Sequence, residues 1–253
     1  MRYPIAFLAG LCLASSTEAA SGAGGTHGTA DILDAGEWEI GLYAPLRRGF
    51  SGGWEISLHP LTALASPNVA VKKQWVDGGD WSLTSRHSLH FPARLLRALA
   101  REGTGGILVA DATIPTIAAT DHRLLASTQL GESTMLSLSA RVLLGLEFGD
   151  SQWPSLDMPI AYPRTAAYQD TAAFAAGIQL DGPIWKSLNY RWATTVWALP
   201  FSEGRWAAES KTALPWRPTD SFTAQLSLTG TLGDYPYGTD WHLLPGFDFI
   251  WSW

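Results

Sequence analysis

The chain has 253 residues, room for one large β domain rather than two. Charged residues make up 16%, well under the roughly 25% of an ordinary soluble domain, while the hydrophobic share of 46% is ordinary. A formal net charge of −6 leaves no basic footprint, which argues against nucleic acid as a partner.

Residues 1–20 read as an export signal. Arg2 gives a minimal positive start, Pro4 to Ala14 is a short apolar stretch, and small residues follow up to Ala20. The run falls short of the roughly 20 apolar residues of a membrane-spanning helix. Cleavage is expected after Ala19 or Ala20. The single cysteine, Cys12, lies inside this segment, and Leu11 before it argues against lipidation, so the mature chain carries no thiol. No other apolar run is long enough for a spanning helix. A mature chain that crosses a membrane must therefore do so as a closed barrel, because only helices and closed barrels satisfy every backbone group in lipid.

Residues 21–35, rich in Gly, Ala and Thr, read as a flexible lead-in or a first strand. Alternation of period 2 then begins, the mark of strands with two unlike faces. Trp38, Ile40 and Leu42 alternate with Glu39 and Gly41. Trp54, Ile56 and Leu58 alternate with Glu55, Ser57 and His59. Val69, Val71 and Trp75 alternate with Ala70, Lys72 and Gln74, and Lys73 breaks the apolar row. Trp81, Leu83 and Leu89 oppose Ser82, Thr84, Arg86, Ser88 and His90. Further on, a row from Leu136 to Phe148 opposes Ser137, Ser139, Arg141 and Glu147. Phe174 to Leu180 forms another apolar row. Trp206, Ala208, Leu214 and Trp216 oppose Glu209 and Lys211, and Phe222 to Leu232 oppose Thr223 to Thr229. Strands of unclear facing are expected at 114–130 and 187–199.

The joins alternate in length. Short turns are expected at 47–53, 77–80, 131–133, 181–186 and 217–220, with long connections at 92–113 and 149–170, the habit of transmembrane barrels. Trp54, Trp75, Trp81, Trp216 and Phe222 flank the short turns, and Trp251 and Trp253 end the chain; together they read as a membrane girdle. Trp38, Trp206 and Phe148 are assigned to the opposite girdle. Eleven strands can be counted, yet single-chain bacterial barrels have an even number. A twelfth is expected within 22–34 or at a miscounted join, in a range of 10–14 strands.

The chain ends in Phe247, Asp248, Phe249, Ile250, Trp251, Ser252 and Trp253, with aromatics at alternate places. This row resembles the C-terminal assembly signal of bacterial outer-membrane β-barrel proteins, with Trp where Phe is the commoner last residue. The resemblance implies a single antiparallel transmembrane β-barrel of about twelve strands over 36–253, in the outer membrane of a Gram-negative bacterium. It also implies assembly by the barrel-assembly machinery through Phe247, Phe249, Trp251 and Trp253. It points to no functional family. A periplasmic lipocalin-like barrel or sandwich would alternate in the same way.

If the apolar rows face lipid, the alternate residues line the lumen: Glu39, Glu55, His59, Lys72, Arg86, His90, Arg141, Glu147, Glu209 and Lys211. Both signs of charge suit a selective pore for a small-molecule solute. The same set suits a closed structural barrel filled with ion pairs. A third reading is a lipid-modifying hydrolase. Ser88 and His90 share a strand face, so the hydroxyl could be activated by the imidazole, but no third orienting residue is evident. The six histidines form no spaced pair like a zinc motif, and no metal or cofactor is expected. A helix is expected from Pro92 to a cap at Gly103, with Leu95, Leu96 and Leu99 on one side and Arg94, Arg97 and Arg101 on the other. It packs on the rim, rests on outer-membrane lipid and lipopolysaccharide, or folds inward as a plug. Trp153, Pro154, Tyr162 and Pro163 make the second long loop a candidate ligand rim.

Overall fold

The computed structural model describes residues 27–102, 108, 112–150, 158–169 and 171–253. The export signal with Cys12, the helix cap at Gly103, and Trp153 and Pro154 lie outside the described residues. The wall is one closed antiparallel barrel of twelve strands in chain order, with the last strand bonded to the first. The strands are β1 (Trp38–Gly41), β2 (Leu46–Phe50), β3 (Trp54–Leu58), β4 (Asn68–Val76), β5 (Ser82–His90), β6 (Thr116–Leu130), β7 (Thr134–Phe148), β8 (Ala172–Trp185), β9 (Leu188–Ala198), β10 (Trp206–Thr219), β11 (Phe222–Tyr235) and β12 (Gly238–Ser252). Register follows the hydrophobic pattern. Leu226 faces Phe247 and Ala224 faces Phe249 on the outside, while Gln225 faces Asp248 on the inside. A slip of one residue would turn every apolar side chain inward.

The twelfth strand is β2, not a segment within 22–34. It lies inside the stretch read from sequence as a short turn, because Arg47, Arg48 and Gly49 hide the alternation that their backbone obeys. Counting β2 reverses the direction assigned to β1. Trp38 therefore belongs to the short-turn end, where its ring stacks on Trp253 at 6.4 Å, and not to the opposite girdle.

The wall is uneven. β6–β8 and β10–β12 have 14 or 15 residues and β9 has 11. β4 and β5 have 9 each, and β1–β3 only 4 or 5. Pro60 stops β3 by opening a single helical turn, α1 (Pro60–Ala63). β1 meets β12 only from Ser252 to Ile250. Above that level β12 has no strand partner on its β1 side among the described residues.

The outer surface is apolar. Exposed residues include Leu138, Leu144, Leu146, Leu214, Leu226, Leu228 and Leu243 on the tall strands. At the short-turn end Trp54, Trp75, Trp81, Trp185, Trp216, Trp251 and Trp253 are all exposed, and Phe222 packs on Phe249 and Trp251. Basic groups lie over this ring of aromatics: Arg48 over Trp38 at 4.7 Å, Lys73 over Trp54 at 4.8 Å, and Lys186 over Trp185 at 5.0 Å. Lys73, the break in an apolar row, is thus an outward residue at the level of the aromatics.

The other end is closed by helical turns. α2 (Ala93–Leu99) packs Leu96 and Leu99 against Ile114, Ile117, Ala161 and Tyr168. α3 (Tyr162–Thr165) continues into a 3-10 turn at Ala166–Tyr168. Tyr162 and Ala167 pack with Leu143, Trp197 and Tyr235.

Candidate functional site

The inner faces of the strands converge on an interior that is polar and packed. Glu39, Glu55, Lys72, Arg141 and Glu209 are buried there, with Ser88 and with His59 at the end of β3. Arg86, His90, Glu147 and Lys211 share the inward register and are partly buried. These ten charged or imidazole side chains do not form one site. Some are tied down by the chain, and Arg141, Glu209 and Lys211 line a cavity.

The first group lies under the short strands. Arg47 binds Glu55 with two nitrogens, at 2.9 and 2.6 Å, and Glu39 with a third at 3.1 Å. The segment 27–35 crosses this space rather than forming a flexible lead-in or a strand. His27 bonds Glu39, the Leu33 amide donates to Glu55 at 3.1 Å, and the Ala30 amide donates to the Ser127 hydroxyl at 2.7 Å. Lys72 donates to the carbonyls of Thr29 and Asp31 at 3.0 and 2.6 Å. Gly49 is the wall residue beneath this strap: a methyl group there would overlap the carbonyls of Leu33 and Asp34. His59 donates through Nε2 to the Tyr43 carbonyl at 2.6 Å. Burial pushes its pKa below the ordinary value, and the bond to Tyr43 opposes that shift.

The second group lies inside the tall strands, and a row of basic residues leads to it from the low ones: Lys72, Arg86, Arg123 and Arg141 are successive cross-strand partners on β4, β5, β6 and β7. Facing like charges oppose sheet pairing. Asp121 offsets part of this by taking Arg141 in a two-point bond at 2.7 and 2.6 Å, with Arg86 at 3.8 Å. From the far end Arg164 on α3 reaches down to both oxygens of Glu209. Gly145 makes room for this inserted segment: a methyl group there would overlap the Ala167 carbonyl. Trp197 is held between two guanidinium groups, Arg141 at 4.8 Å and Arg164 at 5.4 Å.

Between strap and insert remains a cavity of about 110 Å³. Arg123, Arg141, Arg164 and Lys211 line it, with Glu209 as its carboxylate and Ser137, Ser139, Thr195, Gln179 and Trp197 as neutral polar groups. Low local dielectric strengthens every charge interaction here.

The second long loop is not a ligand rim at Tyr162 and Pro163. Both are fully buried or nearly so in the mouth, because the apolar turn and Arg164 find their partners inside. Ser88 and His90 are brought together, Oγ to Nε2 at 2.8 Å. Among the described residues no carboxylate bonds the other imidazole nitrogen, Asp121 being engaged by Arg141, and the pair does not line the cavity. On the outer face His87 and His122 meet as a cross-strand pair, Nδ1 to Nδ1 at 2.9 Å. Sequence reasoning missed Arg47, Asp121, Arg123, Arg164 and Trp197. For Asp121 and Arg123 a signal existed, the odd-numbered places of β6, but Ile117, Ala119 and Leu125 share that face and blur it.

No protein-family model and no curated protein matches this chain. Solved structures similar to it are bacterial outer-membrane barrels. The NanC porin is 11% identical, with 87% of this chain and 93% of that one covered and a TM-score of 0.46. A bacterial polysaccharide outer membrane secretin is 10% identical, with 87% and 77% covered and a TM-score of 0.49. The outer membrane channel DcaP of Acinetobacter baumannii is 9% identical, with a TM-score of 0.42; 83% of this chain is covered, and it spans 62% of that channel's length.

Proposed function

We propose that this chain is an integral outer-membrane barrel that passes small solutes through a lumen held closed by two of its own segments. It is a gated transporter rather than an open pore. The observation that carries the reading is the inverted polarity: leucines and aromatics outside, buried ion pairs inside. A water-soluble barrel needs the reverse arrangement. The strands β6–β12, of 11 to 15 residues, are long enough for the roughly 9–11 residues that cross an outer membrane, and the aromatic end with its basic groups suits a membrane–water interface. The export reading of residues 1–20 and the outward row Phe247, Phe249, Trp251 and Trp253 support assembly by the barrel-assembly machinery. The exposed Arg94, Arg97 and Arg101 beside α2 suit lipopolysaccharide phosphates.

Both closures are non-covalent. The strap 27–35 is held by hydrogen bonds to wall side chains, and the insert 158–169 by Arg164 and small apolar contacts. Such segments can leave without breaking the wall, which a closed scaffold does not require. The test is conductance of the refolded protein in a planar bilayer, with and without residues 27–35. Rare or small steps for the full chain and frequent larger steps for the shortened one are expected. A shortened barrel that folds yet stays silent contradicts gating by the strap and leaves a structural barrel.

The hydrolase reading rests on the 2.8 Å contact between Ser88 and His90. The pair lies on the inner face, away from lipid, with no carboxylate to orient the imidazole, so transport is the reading the geometry supports best.

A further inference from the structure

We propose that the cavity between strap and insert is a binding site for one small oxyanion, a carboxylate or phosphate with hydroxyl groups beside it. The inference deepens the transport reading and rests on it for the ligand's route, but binding is measurable without transport.

Charge balance is the first argument. Four cations line the cavity; Glu209 binds Arg164 and Asp121 binds Arg141, while Asp121 also acts on Arg123, and Asp248 acts on Lys211 only through space. The nearby Asp181 is already taken by Arg191. Lys211 lines the cavity with no hydrogen bond or ion pair among the described residues; the carboxylates of Asp248 and Glu209 act on it only through space. A buried ammonium without a hydrogen-bonding partner is expensive. Elsewhere in this barrel the chain meets that need itself: Lys72 is capped by two carbonyls.

Unused donors are the second argument. Trp197 is buried, yet its indole N–H has no partner, and neither has Nε of the buried Arg164. Both residues line the same cavity as Lys211. Donors without acceptors, beside an ammonium with no hydrogen-bonded anion, describe a negatively charged acceptor. The third argument is the adjoining wall. Ser139 and Thr195 flank Gly177, where a methyl group would crowd both hydroxyls, at 2.8 and 3.1 Å. The space in front of these hydroxyls is kept free by the absence of a side chain. The volume suits a small organic acid or a phosphate, not an oligosaccharide or a peptide.

The test is calorimetric titration of the folded, detergent-solubilised barrel with inorganic phosphate and with tartrate, and with tetramethylammonium chloride as the cationic control. Saturable binding of one or both anions and none of the cation is expected. Lys211→Met should weaken it at least tenfold, Lys211→Arg should restore most of it, and Lys73→Ala on the outer surface should leave it unchanged. Phosphate alone, or tartrate alone, identifies which oxyanion the site prefers. A folded wild-type barrel that binds neither anion overturns the proposal, as does equal affinity in Lys211→Met. Heat-modifiable mobility on gels reports folding of each variant. Anion binding by a barrel that never conducts keeps the site and removes the transport reading, while conduction without binding does the reverse.

Discussion

The low arc β1–β5 and the tall arc β6–β12 solve the same problem in two ways. Each turns basic side chains into the barrel. Under the low arc the chain pairs them with itself: Arg47 lies between Glu39 and Glu55, and Lys72 between two strap carbonyls. Inside the tall arc Lys211, Arg164 and Trp197 surround a cavity and retain unused donor capacity. The first arrangement is structural. The second is the arrangement the proposed oxyanion would complete.

The difference predicts opposite responses to removal of a positive charge. Arg47→Met strips two buried carboxylates of their partner and should destabilise the barrel by about 3–5 kcal/mol. Denaturant titration of the protein in detergent or vesicles should show a large loss of midpoint. Lys211→Met should instead be neutral or stabilising, within about 1 kcal/mol, since it removes a charge that costs free energy to bury. Destabilisation as great as that of Arg47→Met would erase the distinction between the arcs.

Gly145→Val sharpens the comparison from the other end. The new side chain overlaps the Ala167 carbonyl, so the insert 158–169 should be displaced at a cost of about 1–3 kcal/mol. Conductance should rise, while binding of anions through Arg164 should weaken. Unchanged conductance with a folded wall would show that the insert does not close the lumen.

Two smaller effects follow. Ser88→Ala loses one hydrogen bond and should cost about 1 kcal/mol, with no change in lipid turnover measured on outer-membrane vesicles. Abolished turnover would favour the hydrolase. Burial holds the pKa of His59 below the ordinary 6.5. The unfolded chain therefore takes up more protons than the folded one as pH falls below 6.5, and stability declines in that direction. The slope should flatten in His59→Gln, which keeps a donor for the Tyr43 carbonyl.

Much of the wall was legible because an apolar outside and a polar inside enforce a period of 2 on each long strand. β7, β11 and β12 can be read directly from the alternation of leucines and aromatics with hydroxyls and charges. β2 was not legible, since five residues with Arg47, Arg48 and Gly49 at their centre carry too short a pattern. The candidate site was half legible. Inward charges on regular strands, such as Glu55, Arg141 and Lys211, announce themselves by parity. Which of them share a cavity depends on cross-strand register and on the inserts. Arg164 comes from a loop and Asp121 from a strand with mixed faces, so neither is visible until the chain is folded.

The central claim is that the strap 27–35 closes the lumen and can leave it. The one cysteine, Cys12, lies in the segment read as an export signal, so a single engineered pair suffices. With Ala30→Cys and Ser127→Cys, placed where the Ala30 amide now meets the Ser127 hydroxyl at 2.7 Å, conductance is recorded before and after reduction in the same bilayer. Silence when oxidised and reproducible steps when reduced is the predicted result. Equal conductance in both states, with the disulfide confirmed, would contradict it.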